Sequence, residues 1–186
     1  MDVFEAIKGR RSVRDFANKT VDDETIRDLI AVASQAPSAV NRQPWTFTVV
    51  RDRKVLDHIS QGAKALMLST LGVGEEAEHF RALLAKPEFH VFYNAPALVV
   101  ISANAPGPWT VENCALAAEN LMLAAHARGM GTCWIGFAQS YLGTADGRAT
   151  LGIPEAWEPV APVILGYPSA APPIVPRHEP VIRWLG

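Results

Sequence analysis

Cysteine is scarce: Cys114 and Cys133 are the only two in 186 residues. They lie in stretches that read as helix and strand, and their spacing fits neither a CxxC metal pair nor a small disulfide framework. Two buried, unpaired thiols are expected. The five histidines (His58, His79, His90, His126 and His178) are scattered, with no HExxH spacing to put two ligands on one helical face. No metal site is expected.

Long apolar runs are missing too. No segment approaches the roughly 20 apolar residues that span a bilayer, and the N-terminal MDVFEAIKGRR is charged where a signal peptide carries an apolar run. A cytoplasmic chain without a membrane partner is expected. Net charge is small, formally −2 with a pI near 6.2, so nothing draws the chain as a whole toward nucleic acid. Nor does the sequence carry a GxxxxGK[ST] phosphate loop or a GxSxG nucleophile elbow. The nearest approach to a dinucleotide fingerprint, GVGEEA at 72–77, follows a helical pattern and sets two glutamates where a pyrophosphate would lie.

What is present is a globular composition, 49% hydrophobic and 19% charged. A chain this long buries roughly 70% of the surface that its unfolded form exposes. Val3, Phe4 and Ile7 share a helical face, with Asp2 as cap and Gly9 able to end the helix in a left-handed conformation. Ile26, Leu29, Ile30 and Ala33 mark a helix over 23–33, with acidic residues in its first turn and Pro37 past its end. WTFTVV at 45–50 alternates as a strand.

Val55, Leu56, Ile59, Ala63 and Leu66 predict a third helix, and EEAEHFRALLAK a shorter one with Phe80, Leu83 and Leu84 inward. PALVVIS reads as a buried strand. TVENCALAAENLMLAAHARG reads as a long helix with Ala117, Leu121, Ala124 and Ala125 on one stripe, Thr110 as cap and Gly129 as stop. GTCWIGF and VAPVILGY are two more strands, joined by a Gly-rich connection and LGIPEAWEP. About four strands without a strict βαβ rhythm point to an α+β sandwich around a small sheet. No repeat or linker divides the chain, so one domain over 1–186 is expected. The tail YPSAAPPIVPRHEP cannot pack as a regular element by itself, and either dangles or reaches another subunit.

Three stretches stand out chemically. GRRSVRDF, residues 9–16, concentrates Arg10, Arg11, Ser12 and Arg14 beyond a helix end, where guanidinium groups could hold a phosphate or simply face water. APSAVNRQPWTF, from residue 36, places Pro37, Ser38 and Asn41 in a helix-to-strand loop, as ligand contacts or as ordinary turn chemistry. GMGTCWIGF, residues 129–137, sets glycines about a buried strand, for close approach to a ligand or for a bulge.

With NAPALVVIS, ALAAENLMLAAHARGMGTCWIGF, LGIPEAWEP and LGYPS, these stretches resemble the FMN-dependent nitroreductase family, in the family's order, from Phe4 to about Arg177. The resemblance implies a dimeric three-layer α-β-α sandwich with a small, mostly antiparallel sheet. It implies that Arg10, Arg11 and Ser12 hold the phosphate and ribityl chain of FMN, with Arg14 at the pyrimidine edge of a ring that becomes anionic when reduced. Pro37, Ser38 and Asn41 then match positions contacting the partner subunit's FMN, and Cys133, Trp134, Ile135 and Gly136 match the segment passing the flavin, where a backbone N–H points toward N5. The C-terminal phosphate contact matches Arg177, with Arg183 as the alternative, and the tail from about 167 reaches the partner.

The implied activity is ping-pong transfer from NADH or NADPH through FMN to a small aromatic acceptor, a nitroaromatic or a quinone. No side chain is singled out as acid or base. The alternatives are a non-catalytic FMN store or sensor, or a specialised role in dehalogenation or flavin fragmentation. The segment 72–91 corresponds to the family's variable excursion over the flavin and is short here.

Overall fold

The computed structural model describes all residues from Met1 to Gly186. In chain order the elements are helices α1 (Val3–Gly9) and α2 (Asp23–Ala33), strand β1 (Trp45–Val50), helices α3 (Arg53–Thr70) and α4 (Glu75–Leu84), and strand β2 (Ala97–Ala103). Then come helix α5 (Thr110–Ala127), strand β3 (Gly131–Trp134), the short helices α6 (Gly136–Leu142) and α7 (Ala145–Leu151), and strand β4 (Glu158–Gly166). Residues beyond 168 carry no regular element.

The four strands run in the order β1-β2-β4-β3, every neighbouring pair antiparallel. Successive side chains of a strand point to opposite faces, and here both faces are covered. Val99, Ile101, Val163 and Leu165 pack toward α2 and α5, while Leu98, Val100, Cys133 and Ile164 pack toward α3, α6 and α7. Every residue of β2 is buried in consequence, which is why its sequence is a continuous apolar run without alternation. The architecture is the three-layer α+β sandwich.

Local chemistry sets the helix ends. Asp2 and Glu5 form a reciprocal capping box on α1, each side chain accepting from the other's backbone N–H at 2.8 Å. Asp22 caps α2 through the Thr25 N–H at 2.7 Å, and Gly129 ends the α5 region at φ +72°.

Three expectations change. Gly9 is not left-handed. It closes α1 where a Cβ would stand 2.6 Å from His126 Nε2, so its small size serves the packing of α1 on α5. Thr110 does not cap α5 but lies inside it, its hydroxyl closing the preceding turn by accepting from the Gly107 N–H at 2.6 Å. The Gly-rich connection after β3 is α6 and α7, with Thr144 capping α7 at the Gly147 N–H. Gly147 is required there because a Cβ would meet the Tyr141 carbonyl oxygen at 2.2 Å. In a stretch this glycine-rich, tertiary packing overrides weak helix propensity.

One face stays uncovered. Val3, Phe4 and Ile7 on α1 point away from the core, Phe4 being 69% exposed, and only Ala6 of that helix is buried. No helix is long and apolar enough to cross a membrane.

Candidate functional site

The arginine loop lies on the sheet. Beyond α1 the chain runs extended along the outer edge of β3, with a parallel bridge between Ser12 and Thr132 and the Val13 N–H donating to the Thr132 carbonyl at 2.9 Å. Farther on, Phe16 bridges to Pro168, and the Ala17 N–H donates to the Tyr167 carbonyl at 2.8 Å. Two segments more than a hundred residues apart in sequence therefore form one wall.

An extended chain alternates its side chains, and this divides the four-residue cluster. Ser12 and Arg14 fall on the side of Cys133, whose thiol lies within reach of the Ser12 hydroxyl. Arg14 lines a cavity of about 380 Å³ together with Tyr93, Cys133, Trp134, Ile135 and Gly136, the remaining wall being Met67 and Phe137. Arg11 and Val13 fall on the other side, where they line a separate cleft of about 610 Å³ with His126 and the start of the tail. The Arg11 guanidinium caps the end of α1, its Nη1 donating to the carbonyls of Lys8 at 2.6 Å and Arg10 at 2.8 Å, while its buried Nε has no partner. Arg10 is held by α5 through Nε 3.2 Å from Glu119.

The cavity is apolar except for Arg14, which stacks 5.8 Å from the centre of the Tyr93 ring. Phe89 meets Tyr93 edge to face at 5.6 Å and Phe137 at 6.2 Å, and Phe137 meets Phe80 of α4 at 5.6 Å, so an aromatic ladder backs the opening. Burial pushes the Tyr93 phenol above its ordinary pKa against the opposing Arg14 charge. The Cys133 thiol, 2% exposed, is likewise raised by burial, with Arg14 and Ser12 acting the other way. It is a packed thiol and not a poised thiolate.

Backbone geometry shapes the floor. The Ile135 N–H is committed to the Pro162 carbonyl at 2.8 Å, whereas the next amide, Gly136, opens α6, where a helix supplies no acceptor for its first N–H groups. A Cβ at Gly136 would meet no atom within 4 Å, and Gly136 lines the cavity. The side chains of Cys133 and Ile135 enter the core beneath α3 and α6, whereas Trp134 packs against the opposite core.

Pro37, Ser38 and Asn41 are not brought to this cavity. Their loop, which includes a 3₁₀ turn at Ala39–Asn41, is pinned to α5 by the Asn113 side chain, which accepts from the Ala39 N–H at 3.0 Å. Ser38 Oγ accepts from the Gln43 N–H, and Asn41 Oδ1 from the Gln43 side chain, both at 2.9 Å. Val40, Asn41 and Gln43 all have positive φ, a conformation costly for a β-branched valine. Along α5, thirteen residues separate Asn113 from His126 at the arginine loop, about 20 Å at helical rise. Arg177 and Arg183 both lie exposed on the tail.

The sequence reading missed Tyr93 and Met67 as lining residues. Nothing near Met67 marks it, because it reads as one more apolar residue of a helix. Tyr93 and Asn94 carried a signal only in the adjoining NAP motif, since both adopt left-handed φ, +50° and +55°, which tyrosine does not advertise.

Known proteins share this sequence pattern and fold. The Nitroreductase family profile matches residues 7–167. A protein of Methanothermobacter thermautotrophicus described as a putative NADH dehydrogenase/NAD(P)H nitroreductase is 32% identical over 92% of this chain and 80% of its own. One of the same description from Archaeoglobus fulgidus is 34% identical over 90% and 86%. The crystal structure of a nitroreductase with bound FMN from Bacteroides fragilis superposes over 100% of both chains with a TM-score of 0.85 at 28% identity. With its fold, its loop order and its sequence in accord, the chain belongs to the nitroreductase family.

Proposed function

We propose that this chain is an FMN-dependent NAD(P)H oxidoreductase that works as a homodimer and reduces nitroaromatic or quinone-like acceptors at one cavity in two half-reactions. The observation that carries this reading is Arg14 set together with the Cys133–Gly136 segment around an apolar, aromatic-walled void of about 380 Å³, with Ser12 bridged to the strand that leads into that segment. A flat ring suits the wall, and one cation at its edge suits a ring that gains negative charge. Among this chain's relatives, those described as putative NAD(P)H nitroreductases support the same activity.

The residues suit FMN. Gly136 leaves open the space that a Cβ would take, and Arg10, with only Nε committed to Glu119, keeps its remaining donors for a phosphate beside the Ser12 hydroxyl. Bound FMN would supply the redox chemistry between a nicotinamide donor and the acceptor. Arg14 stabilises negative charge at the ring's edge from a low-dielectric wall. The Gly136 amide, at the start of α6, is a donor for the ring. Trp134 and Ile135 fix that strand end by packing into opposite cores, and Met67 and the aromatic ladder exclude water and present a stacking surface to a planar acceptor.

The reading also assigns Pro37, Ser38 and Asn41, with Arg177 of the tail, to the site of the second copy. That accounts for the wide separation of the 37–41 loop from the chain's own cavity, and for the uncovered apolar face of α1. All of 1–186 then serves as one FMN-binding domain.

The test is direct. Purified protein is expected to be yellow and to release FMN on denaturation, and stopped-flow mixing with NADH or NADPH without oxygen should bleach it before a nitroaromatic or quinone restores the colour. A protein that binds FMN yet bleaches with neither donor would be a flavin carrier. Colourless protein that takes up no added FMN would end the reading.

A further inference from the structure

A third void has a lining residue, Asn94, next in sequence to Tyr93 of the cavity wall, and nothing in the proposed chemistry uses it. It encloses about 410 Å³ beside the loop after the arginine cluster. Its floor is apolar, formed by Phe16, Leu56, Ala95 and Pro96, and its rim carries the cations Lys19, Arg51 and Arg53 with the polar side chains of Asn18, Thr20 and Asn94. No carboxylate lines it.

The cations are set in place from behind. Arg51 pairs with Asp23 at 2.7 Å and donates to the Val21 carbonyl; Arg53 pairs with Asp57 at 2.9 Å and donates to the Asn94 side chain. These bonds use two donor positions of each guanidinium, and each has five N–H groups. Lys19 Nζ rests 3.8 Å from the centre of the Tyr167 ring, which holds the ammonium at the mouth without neutralising it.

Consecutive left-handed residues belong to the walls of the two voids. Tyr93 lines the redox cavity and Asn94 the basic cleft, and both have left-handed φ, so the chain turns sharply between the two lining positions. Asparagine tolerates that conformation; a bulky tyrosine holds it only when its surroundings require it. Helix α3 spans both sites. Leu56 lines the cleft and Met67 the cavity, and these far walls stand about 16 Å apart at helical rise.

We infer that this cleft binds the adenosine 2′-phosphate end of NADPH while the nicotinamide lies in the cavity, making NADPH the preferred donor. The inference rests on the functional reading above. A flat base suits the apolar floor, and a phosphate suits a rim of arginine and lysine, the chemistry by which a 2′-phosphate is told from a free hydroxyl. An NADH donor would leave the three rim cations unused, and the extended length of a dinucleotide suits two voids whose far walls on α3 stand about 16 Å apart better than either alone.

The test does not need turnover. Protein loaded with FMN is titrated calorimetrically with adenosine 2′,5′-bisphosphate and, at the same ionic strength, with adenosine 5′-monophosphate. The bisphosphate is expected to bind at least tenfold more tightly, and Lys19→Met combined with Arg53→Gln should bring the ratio near one. Lys19→Met alone, which breaks no ion pair, should lower it severalfold and guards against a misfolded double variant. Equal binding of the two nucleotides, a preference that survives these substitutions, or displacement of the bisphosphate by an equal concentration of inorganic phosphate would overturn the inference. Failure to bind FMN would instead count against the functional reading, and the two failures are read separately.

Discussion

The Val13 amide donates to the Thr132 carbonyl at 2.9 Å, and the Val13 side chain fills the place where residue 131 would carry a Cβ. A Cβ at Gly131 would stand 2.7 Å from Val13 Cβ. The arginine loop can therefore seat against β3 only because that strand begins with glycine. Gly131→Ala should push the loop off the strand edge, costing about 1–3 kcal/mol of stability by overpacking and reducing FMN retention. Chemical denaturation and the flavin-to-protein absorbance ratio check both effects; unchanged FMN content in a destabilised variant would show that the loop's seat is irrelevant to the ligand.

Gly136 gives the opposite expectation. Its Cβ position is open space, so Gly136→Ala should leave stability within about 0.5 kcal/mol, as at sites away from packing features, and still weaken FMN by intruding on the cavity. Gly136→Val should expel it. Equal stability with undiminished FMN affinity in the valine variant would move the flavin elsewhere.

Arg14 touches the cavity from its edge and stacks on Tyr93. Removing its charge should disfavour the reduced, more negative flavin more than the oxidised one. Arg14→Ala is expected to lower the two-electron potential by about 30 mV or more, a tenfold change in equilibrium for a two-electron couple. Flavin reduction should slow more than FMN binding weakens. Equal potentials in variant and parent would remove Arg14 from this role.

How much of this was legible in the sequence depends on whether the signal was local. The α2 boundaries and the Asp2 cap followed from residues within a turn of one another, and the motif order pointed to the sandwich. Gly9 and Thr110 misled because glycine after a helix and threonine before one have common local uses, while here His126 and the Gly107 turn decide them. The splitting of Arg11 from Ser12 and Arg14 could not be read without knowing that the loop lies flat on β3. Tyr93 was hidden because its conformation is imposed by tertiary packing.

His90 carries an acid sensitivity. Its Nδ1 accepts from the Phe92 N–H at 3.1 Å, and its Nε2 lies 3.2 Å from Asp57. Burial is the largest influence holding its pKa below the ordinary 6.5, assisted by Arg53 and opposed by Asp57. His126 shifts the same way, chiefly by burial. The unfolded chain then binds the proton at higher pH than the folded one, so this stability is complete above 6.5 and is lost as pH falls below it toward the folded value. Urea midpoints should drop between about pH 7.5 and 5.5, and less steeply for His90→Asn, which keeps an acceptor for Phe92. An identical slope in the variant would assign the sensitivity to other groups.

Phe4 tests the assembly. It stands with Val3 and Ile7 on the outward face of α1, and α1 packs on α5, which leaves Val111 and Leu116 exposed as well. An apolar helix face at the protein surface calls for a partner, and a symmetric partner would bury two phenylalanines, one from each copy. Burial of a phenylalanine side chain contributes about 1.5–3 kcal/mol, so Phe4→Asp in both copies should weaken association at least about a hundredfold. Light scattering at micromolar concentration should find a dimer for the parent and a monomer for the variant. Because Pro37, Ser38 and Asn41 are proposed to serve the other copy's flavin, the monomer should also lose its colour, although Phe4 itself does not line the cavity. A monomeric variant that keeps full FMN would show that one chain suffices for the site. A variant that stays dimeric would free the α1 face from the interface.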